Sequence, residues 1–200
     1  MKAEIVAILR GVTPERVVSV GRVLYEVGIR TIEIPLNSPN PFISIRALVD
    51  ANLLGCQIGA GTVLTAEEVQ RTHEAGARLI VAPNCDPDVI EEALTRSMRV
   101  MPGIGSATEA FTAIRAGAKD LKLFPAVTYG PVHLKALSAV LPAGVRVFPV
   151  GGVGAQHIKM WLDAGAAGFG FGSELFRPEY ELTDIEQRAR GLLRALEGAS

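Results

Sequence analysis

The chain has little of what would mark it for a specialised partner or compartment. Its 20 basic and 21 acidic side chains leave a formal net charge of -1, so no basic excess holds nucleic acid and no acidic tail extends from the fold. No apolar run is long enough to span a bilayer, and Met1-Lys2-Ala3-Glu4 passes straight into strand-like residues without a basic, then apolar, leader. The expectation is a soluble, cytoplasmic protein with no membrane partner. The two cysteines, Cys56 and Cys85, match no metal or redox spacing and read as buried small hydrophobes. His73, His133 and His157 share no ligand spacing with each other or with cysteine, so no metal is expected. No Gly-x-Gly-x-x-Gly turn follows the first strand, which argues against a dinucleotide site. Lysine is scarce too, at Lys2, Lys119, Lys122, Lys135 and Lys159.

What is present is a repeated alternation. With 200 residues, 48% of them hydrophobic, the chain suffices for one sizeable core, and residues 1–200 are read as one domain. Strand patterns lie near residues 5–10, 31–36, 57–63, 79–84, 99–103, 119–126, 146–150 and 168–172. Helical patterns separate them. The first opens at Thr13-Pro14, Thr65 is placed to cap the third, Asp86-Pro87 opens the fourth, Ser106 with Glu109 makes a capping box for the fifth, and the sixth begins near Pro131. Several helices stop at glycine, at Gly28, Gly76, Gly117 and Gly165. Strictly alternating strands and helices with short links require parallel pairing, and about eight such units close into a (β/α)8 barrel. An open doubly wound sheet is the alternative.

Lys119-Asp120-Leu121-Lys122-Leu123-Phe124-Pro125-Ala126 is the stretch that points to chemistry. Leu121 and Leu123 alternate with Lys122 and Phe124, so the lysine is aimed at the barrel interior. Burial disfavours an ammonium, and a neutral buried amine is a carbonyl nucleophile. Glu33 has the same inward parity between Ile32 and Ile34, Arg10 ends the first strand, and Thr62 ends the third. Four strands thus aim one polar group each at one end of the barrel. By spacing alone a structural Glu33–Lys122 or Glu33–Arg10 pair and a catalytic pair remain equal readings. Gly151-Gly152-Val153 after strand seven and Gly170-Phe171-Gly172-Ser173 after strand eight, with a short helix expected to start at Ser173-Glu174, match the recurrent phosphate site of this fold.

The segments Ile8-Leu9-Arg10-Gly11, Glu33-Ile34-Pro35-Leu36-Asn37-Ser38-Pro39, Gly59-Ala60-Gly61-Thr62-Val63-Leu64, Lys122-Leu123-Phe124-Pro125 and Val150-Gly151-Gly152-Val153 together resemble the 2-keto-3-deoxy-6-phosphogluconate/galactonate aldolases over essentially the whole chain. The resemblance implies a cofactor-free, metal-free class I aldolase that releases pyruvate and glyceraldehyde 3-phosphate from a phosphorylated 2-keto-3-deoxy sugar acid. It also implies a homotrimer. It makes Lys122 the Schiff-base lysine and Glu33 the general acid/base, with Arg10, Thr62 and the backbone at Pro83 near the substrate carboxylate. Gly151, Gly152, Gly172 and Ser173 then fall on the phosphate.

One departure stands out: Asn37 replaces an arginine usual in the gluconate-type enzymes, which shifts the carboxylate clamp onto Arg10. The galactonate branch is favoured by Ile34-Pro35-Leu36-Asn37-Ser38-Pro39 and by Val150, where gluconate-type members often carry threonine. The gluconate epimer, with a 4-hydroxy-2-oxoglutarate aldolase side activity, is the alternative. A catalytically silent phosphosugar-binding barrel is the competitor from another class.

Overall fold

The computed structural model describes residues 3–199. The strands are β1 Glu4–Ile8, β2 Thr31–Pro35, β3 Gln57–Gly61, β4 Leu79–Val81, β5 Arg99–Met101, β6 Gly103–Ile104, β7 Asp120–Leu123, β8 Arg146–Pro149 and β9 Gly168–Phe171. The helices are α1 Pro14–Val27, α2 Pro41–Asp50, α3 Ala66–Glu74, α4 Pro87–Thr95, α5 Ala107–Arg115, α6 Ala126–Ser138, α7 Ile158–Asp163 and α8 Leu182–Gly198. All pairings are parallel, in the orders β5-β4-β3-β2-β1-β9 and β6-β7-β8. A parallel bridge between Val150 and Gly170 joins β8 to β9 and closes the ring. The result is a (β/α)8 barrel.

Nine strand segments fill eight positions because the expected strand at 99–103 is interrupted by Pro102. Proline has no N–H to give to a ladder, although the Pro102 carbonyl still accepts from the Lys122 amide at 2.8 Å. The caps at Thr65 and Ser106–Glu109 form as expected, the first through Thr65 Oγ1 accepting from the Glu68 amide at 3.2 Å. Thr13 occupies the N-cap of α1 in extended conformation, but its hydroxyl accepts nothing from the helix. The sixth helix differs most: it starts at Ala126, ahead of the expected Pro131, and breaks at Gly130, whose φ of 75° and ψ of 165° are not helical. Pro131 therefore begins the second piece, where a missing N–H costs least.

Side-chain parity sorts the interior into layers. Ile32, Ile34, Ala60, Leu121 and Leu123 point outward into the large core shared with the helices, each large aliphatic contributing roughly 1.5–3 kcal/mol on burial. Facing inward, Val6, Leu79, Val81, Met101 and Phe148 form a separate apolar plug at mid-barrel. Beneath it lies a charged floor. Arg99 donates to both oxygens of Glu4 (2.8 and 2.9 Å), its Nε reaches Asp120 at 2.6 Å, and Arg146 makes two bonds of 2.6 Å to the same carboxylate. The opposite, upper layer lies at the carboxyl ends of the strands and contains Ile8, Glu33, Gly61 and Lys122.

Candidate active site

Lys122 is inward on β7 and only 5% exposed. Its register partners are Gly103 on β6 and Phe148 on β8. Gly103 leaves room on one side, and the Pro83 carbonyl closes over it: a β-carbon on Gly103 would fall 2.2 Å from that oxygen. The Lys122 Nζ sits 4.8 Å from the centroid of the Phe124 ring. Burial pushes the ammonium below its ordinary range, with the Glu33 charge opposing the shift and the Arg10 charge adding to it.

Glu33 comes from β2, is 1% exposed, and its Oε2 has no hydrogen-bond partner. No direct Glu33–Lys122 ion pair, one of the two readings left equal by spacing, is formed among the described residues; the two interact through space only. Burial raises the Glu33 carboxyl to about 7, although the positive charges of Lys122 and Arg10 pull it back. A carboxyl that titrates near neutrality can both give and take a proton at working pH.

Arg10 stands at the rim, past the end of β1. Its Nη1 donates to Asn37 Oδ1 at 2.6 Å and its Nη2 to Thr62 Oγ1 at 3.4 Å. Thr62 is held at φ 56°, a left-handed conformation costly for a β-branched residue. Three neighbouring strand ends are thus joined through one guanidinium, which forms no ion pair among the described residues. Asn37, which the sequence presents as a lost arginine, is a partner of the arginine that remains.

A cavity of about 160 Å³ opens beside Lys122's neighbour Phe124. It gathers Arg10, Val150, Gly151, Gly152, Gly172 and Ser173, all expected in the site, with Glu174 of the expected Ser173-Glu174 start, and adds Ile8, to which sequence reasoning gave no role. Lys122, Glu33, Thr62 and Pro83 lie outside its lining. Gly151 and Gly152 have φ of 95° and 76°, and a β-carbon on Gly152 would stand 2.6 Å from Val127 Cβ, so both conformation and space call for glycine there. The amides of Gly152, Ser173 and Glu174 donate to no group among the described residues, which leaves them open to an anion. The helix expected at Ser173-Glu174 is instead one hydrogen-bonded turn, with the Leu175 and Phe176 amides both reaching the Gly172 carbonyl at 2.8 Å. Pro178 follows after only five residues, Ser173 to Arg177, which leaves no length for more.

A larger cleft of about 400 Å³ lies at the opposite end, against Arg99, Asp120 and Arg146. The charges of those three are spent on one another and on Glu4, so the smaller upper cavity holds the unsatisfied groups. Cys56 and Cys85, expected to be buried, are only partly buried, and both are free thiols. Burial raises the Cys56 thiol to about 11, opposed weakly by Arg30, which removes it as a nucleophile.

Known proteins are similar to this chain in sequence and fold. The chain is 45% identical over 194 residues to the 2-dehydro-3-deoxy-6-phosphogalactonate aldolase of Escherichia coli K12, covering 97% of this chain and 95% of that one. It is also 45% identical over 195 residues to a probable 2-dehydro-3-deoxy-6-phosphogalactonate aldolase of Rhizobium meliloti, covering 98% and 92%. A solved structure described as native KDPGal superposes with a TM-score of 0.97 at 44% identity, over 100% of this chain and 97% of the other. Residues 1–188 match the family described as KDPG and KHG aldolase. The chain belongs to the KDPG and KHG aldolase family.

Proposed function

We propose that this protein is a class I aldolase that cleaves 2-dehydro-3-deoxy-6-phosphogalactonate to pyruvate and D-glyceraldehyde 3-phosphate. The observation that carries the reading is the approach of three groups at one strand-end face: a buried Lys122 amine held below its usual range, a Glu33 carboxyl at about 7, and the Arg10 guanidinium. The Lys122 amine adds to the C2 ketone, and loss of water from the carbinolamine gives a protonated imine. Glu33 supplies the proton that leaves with that water. It then takes the proton of the C4 hydroxyl while the C3–C4 bond breaks. The bonding pair flows into the imine, the aldehyde departs, and the enamine left behind is protonated at C3 before water frees pyruvate.

Arg10 and Thr62 receive the carboxylate, with the Pro83 backbone on the far side of Gly103. The phosphate falls to the open amides at Gly152 and Ser173 and to the Ser173 hydroxyl, beside Gly151 and Gly172. The galactonate epimer is chosen over the gluconate epimer on the apolar Val150 in the cavity wall. We further place the protein in the cytoplasm as a homotrimer. The exposed apolar Val127 and Val132, 69% and 83% accessible on either side of the Gly130 break, support an assembled form; sedimentation tests it.

Release of pyruvate from each purified 6-phosphorylated epimer tests the activity. Cleavage is expected with the galactonate epimer preferred. A protein that binds these compounds and cleaves neither is a binding barrel.

A further inference from the structure

Asn37 is exposed, yet its side-chain oxygen accepts from the Arg10 guanidinium and its neighbour is anchored. The next residue, Ser38, is buried; its amide donates to the Pro35 carbonyl at 2.9 Å, and its Oγ accepts from the Gly11 amide at 3.0 Å. The loop after β2 is therefore pinned to the loop after β1 by two bonds that cross 27 residues of sequence, Gly11–Ser38 and Arg10–Asn37. The second is short, at 2.6 Å, and charge-assisted. Its acceptor is a neutral amide oxygen. An aspartate at 37 would hold the guanidinium equally well but would cancel its charge; the amide fixes the direction and leaves the charge whole. A guanidinium carries five N–H donors. With one nitrogen turned to Asn37 and another to Thr62, the remaining donors are left for a carboxylate.

We propose that Asn37 is a positioning residue that acts through Arg10, orienting the guanidinium toward the substrate carboxylate without neutralising it. This rests on the aldolase reading above. The charged groups at the site are Arg10, Glu33, Lys122 and Glu174, the last lining the same cavity as Arg10, and Arg10 lowers the proton affinity of Glu33 and Lys122. Asn37 thus acts on carboxylate binding by direction and on the amine by preserved charge.

Two variants separate these effects from a merely structural one. In the condensation direction, Asn37→Ala is expected to raise KM for pyruvate roughly tenfold, the scale of one hydrogen bond to a charged group, while KM for D-glyceraldehyde 3-phosphate and kcat stay near the parent values. Asn37→Asp restores the acceptor and cancels the charge. It is expected to move the pH midpoint of borohydride-dependent pyruvate trapping at Lys122 upward, because the amine is no longer repelled by a free guanidinium. Parent-like KM in Asn37→Ala, or a parent-like midpoint in Asn37→Asp, overturns the proposal. A parent that traps pyruvate beside unaltered variants removes Asn37 alone, whereas a parent that traps none removes the aldolase reading and this inference with it.

Discussion

The carboxylate of Glu33 occupies the space that any side chain on Gly61 would need. A β-carbon built on Gly61 would lie 1.9 Å from Glu33 Oε2 and 2.3 Å from its carboxyl carbon. The two residues sit on adjacent strands, with Glu33 opposite Gly59 and Pro35 opposite Gly61. Gly61 does not have a positive φ, so it is the volume and not the backbone that demands glycine.

Gly61→Ala is therefore expected to fold, to lose roughly 1–3 kcal/mol of stability through overpacking, and to slow turnover by displacing the acid/base. Thermal unfolding beside steady-state cleavage checks both. Parent-like turnover would show that the carboxylate has freedom to move without consequence.

Glu33→Gln separates the proton carrier from the nucleophile. Pyruvate trapping at Lys122 should survive while turnover falls roughly 10²-fold or more, the scale of general acid–base catalysis. The same variant has a thermodynamic signature. The folded Glu33 carboxyl, at about 7, lies above its unfolded value, so between these values the folded state binds more protons than the unfolded one. Its contribution is present at low pH and is lost as pH rises from about 4.3 to about 7. Lys122 acts oppositely: its folded value is lowered, so its part of the stability grows as pH rises toward about 10.4. Urea unfolding of parent and Glu33→Gln across pH 5 to 8 should show a parent-minus-variant stability that declines with pH. A flat difference would mean that Glu33 is ionised throughout.

Val150 lines the upper cavity and is nearly buried, and it faces Gly170, where a β-carbon would meet its Cγ2 at 2.7 Å. A valine there cannot hydrogen-bond a substrate hydroxyl. Val150→Thr is expected to shift the ratio of cleavage rates toward the gluconate epimer by up to roughly tenfold, the worth of one net hydrogen bond of about 0.5–1.5 kcal/mol. An unchanged ratio would take Val150 out of the account of epimer choice.

The charged floor predicts the reverse pattern, stability without chemistry. Asp120→Ala leaves the half-buried Arg146 and the Nε of Arg99 without their acceptor and should cost roughly 1–3 kcal/mol. Below its melting temperature the variant should still trap pyruvate at Lys122, since the apolar plug around Phe148 separates floor from site.

The barrel and its two central residues were legible because period-2 alternation alone decides which side of a strand a residue faces; Lys122 and Glu33 needed no more than their neighbours' identities. What was not legible depends on residues far apart in sequence. Arg99 meets Glu4 across 95 positions, and nothing local to either announces the pair. The Asn37 amide looked like a missing arginine until the loop after β1 was brought beside it. Pro102 and Gly130 punctuate the chain in ways visible as letters, but whether a proline splits a strand or a glycine breaks a helix was settled by the packing on each side. The turn at Ser173 fell short of a helix for the same reason.

The most direct measurement is borohydride reduction in the presence of pyruvate, followed by peptide mass spectrometry. The account predicts a reduced pyruvate adduct on Lys122, absent without pyruvate and absent in Lys122→Met. A parent protein that cleaves substrate yet carries no adduct at Lys122, or carries it on another lysine, would contradict the assignment of the buried amine as the nucleophile.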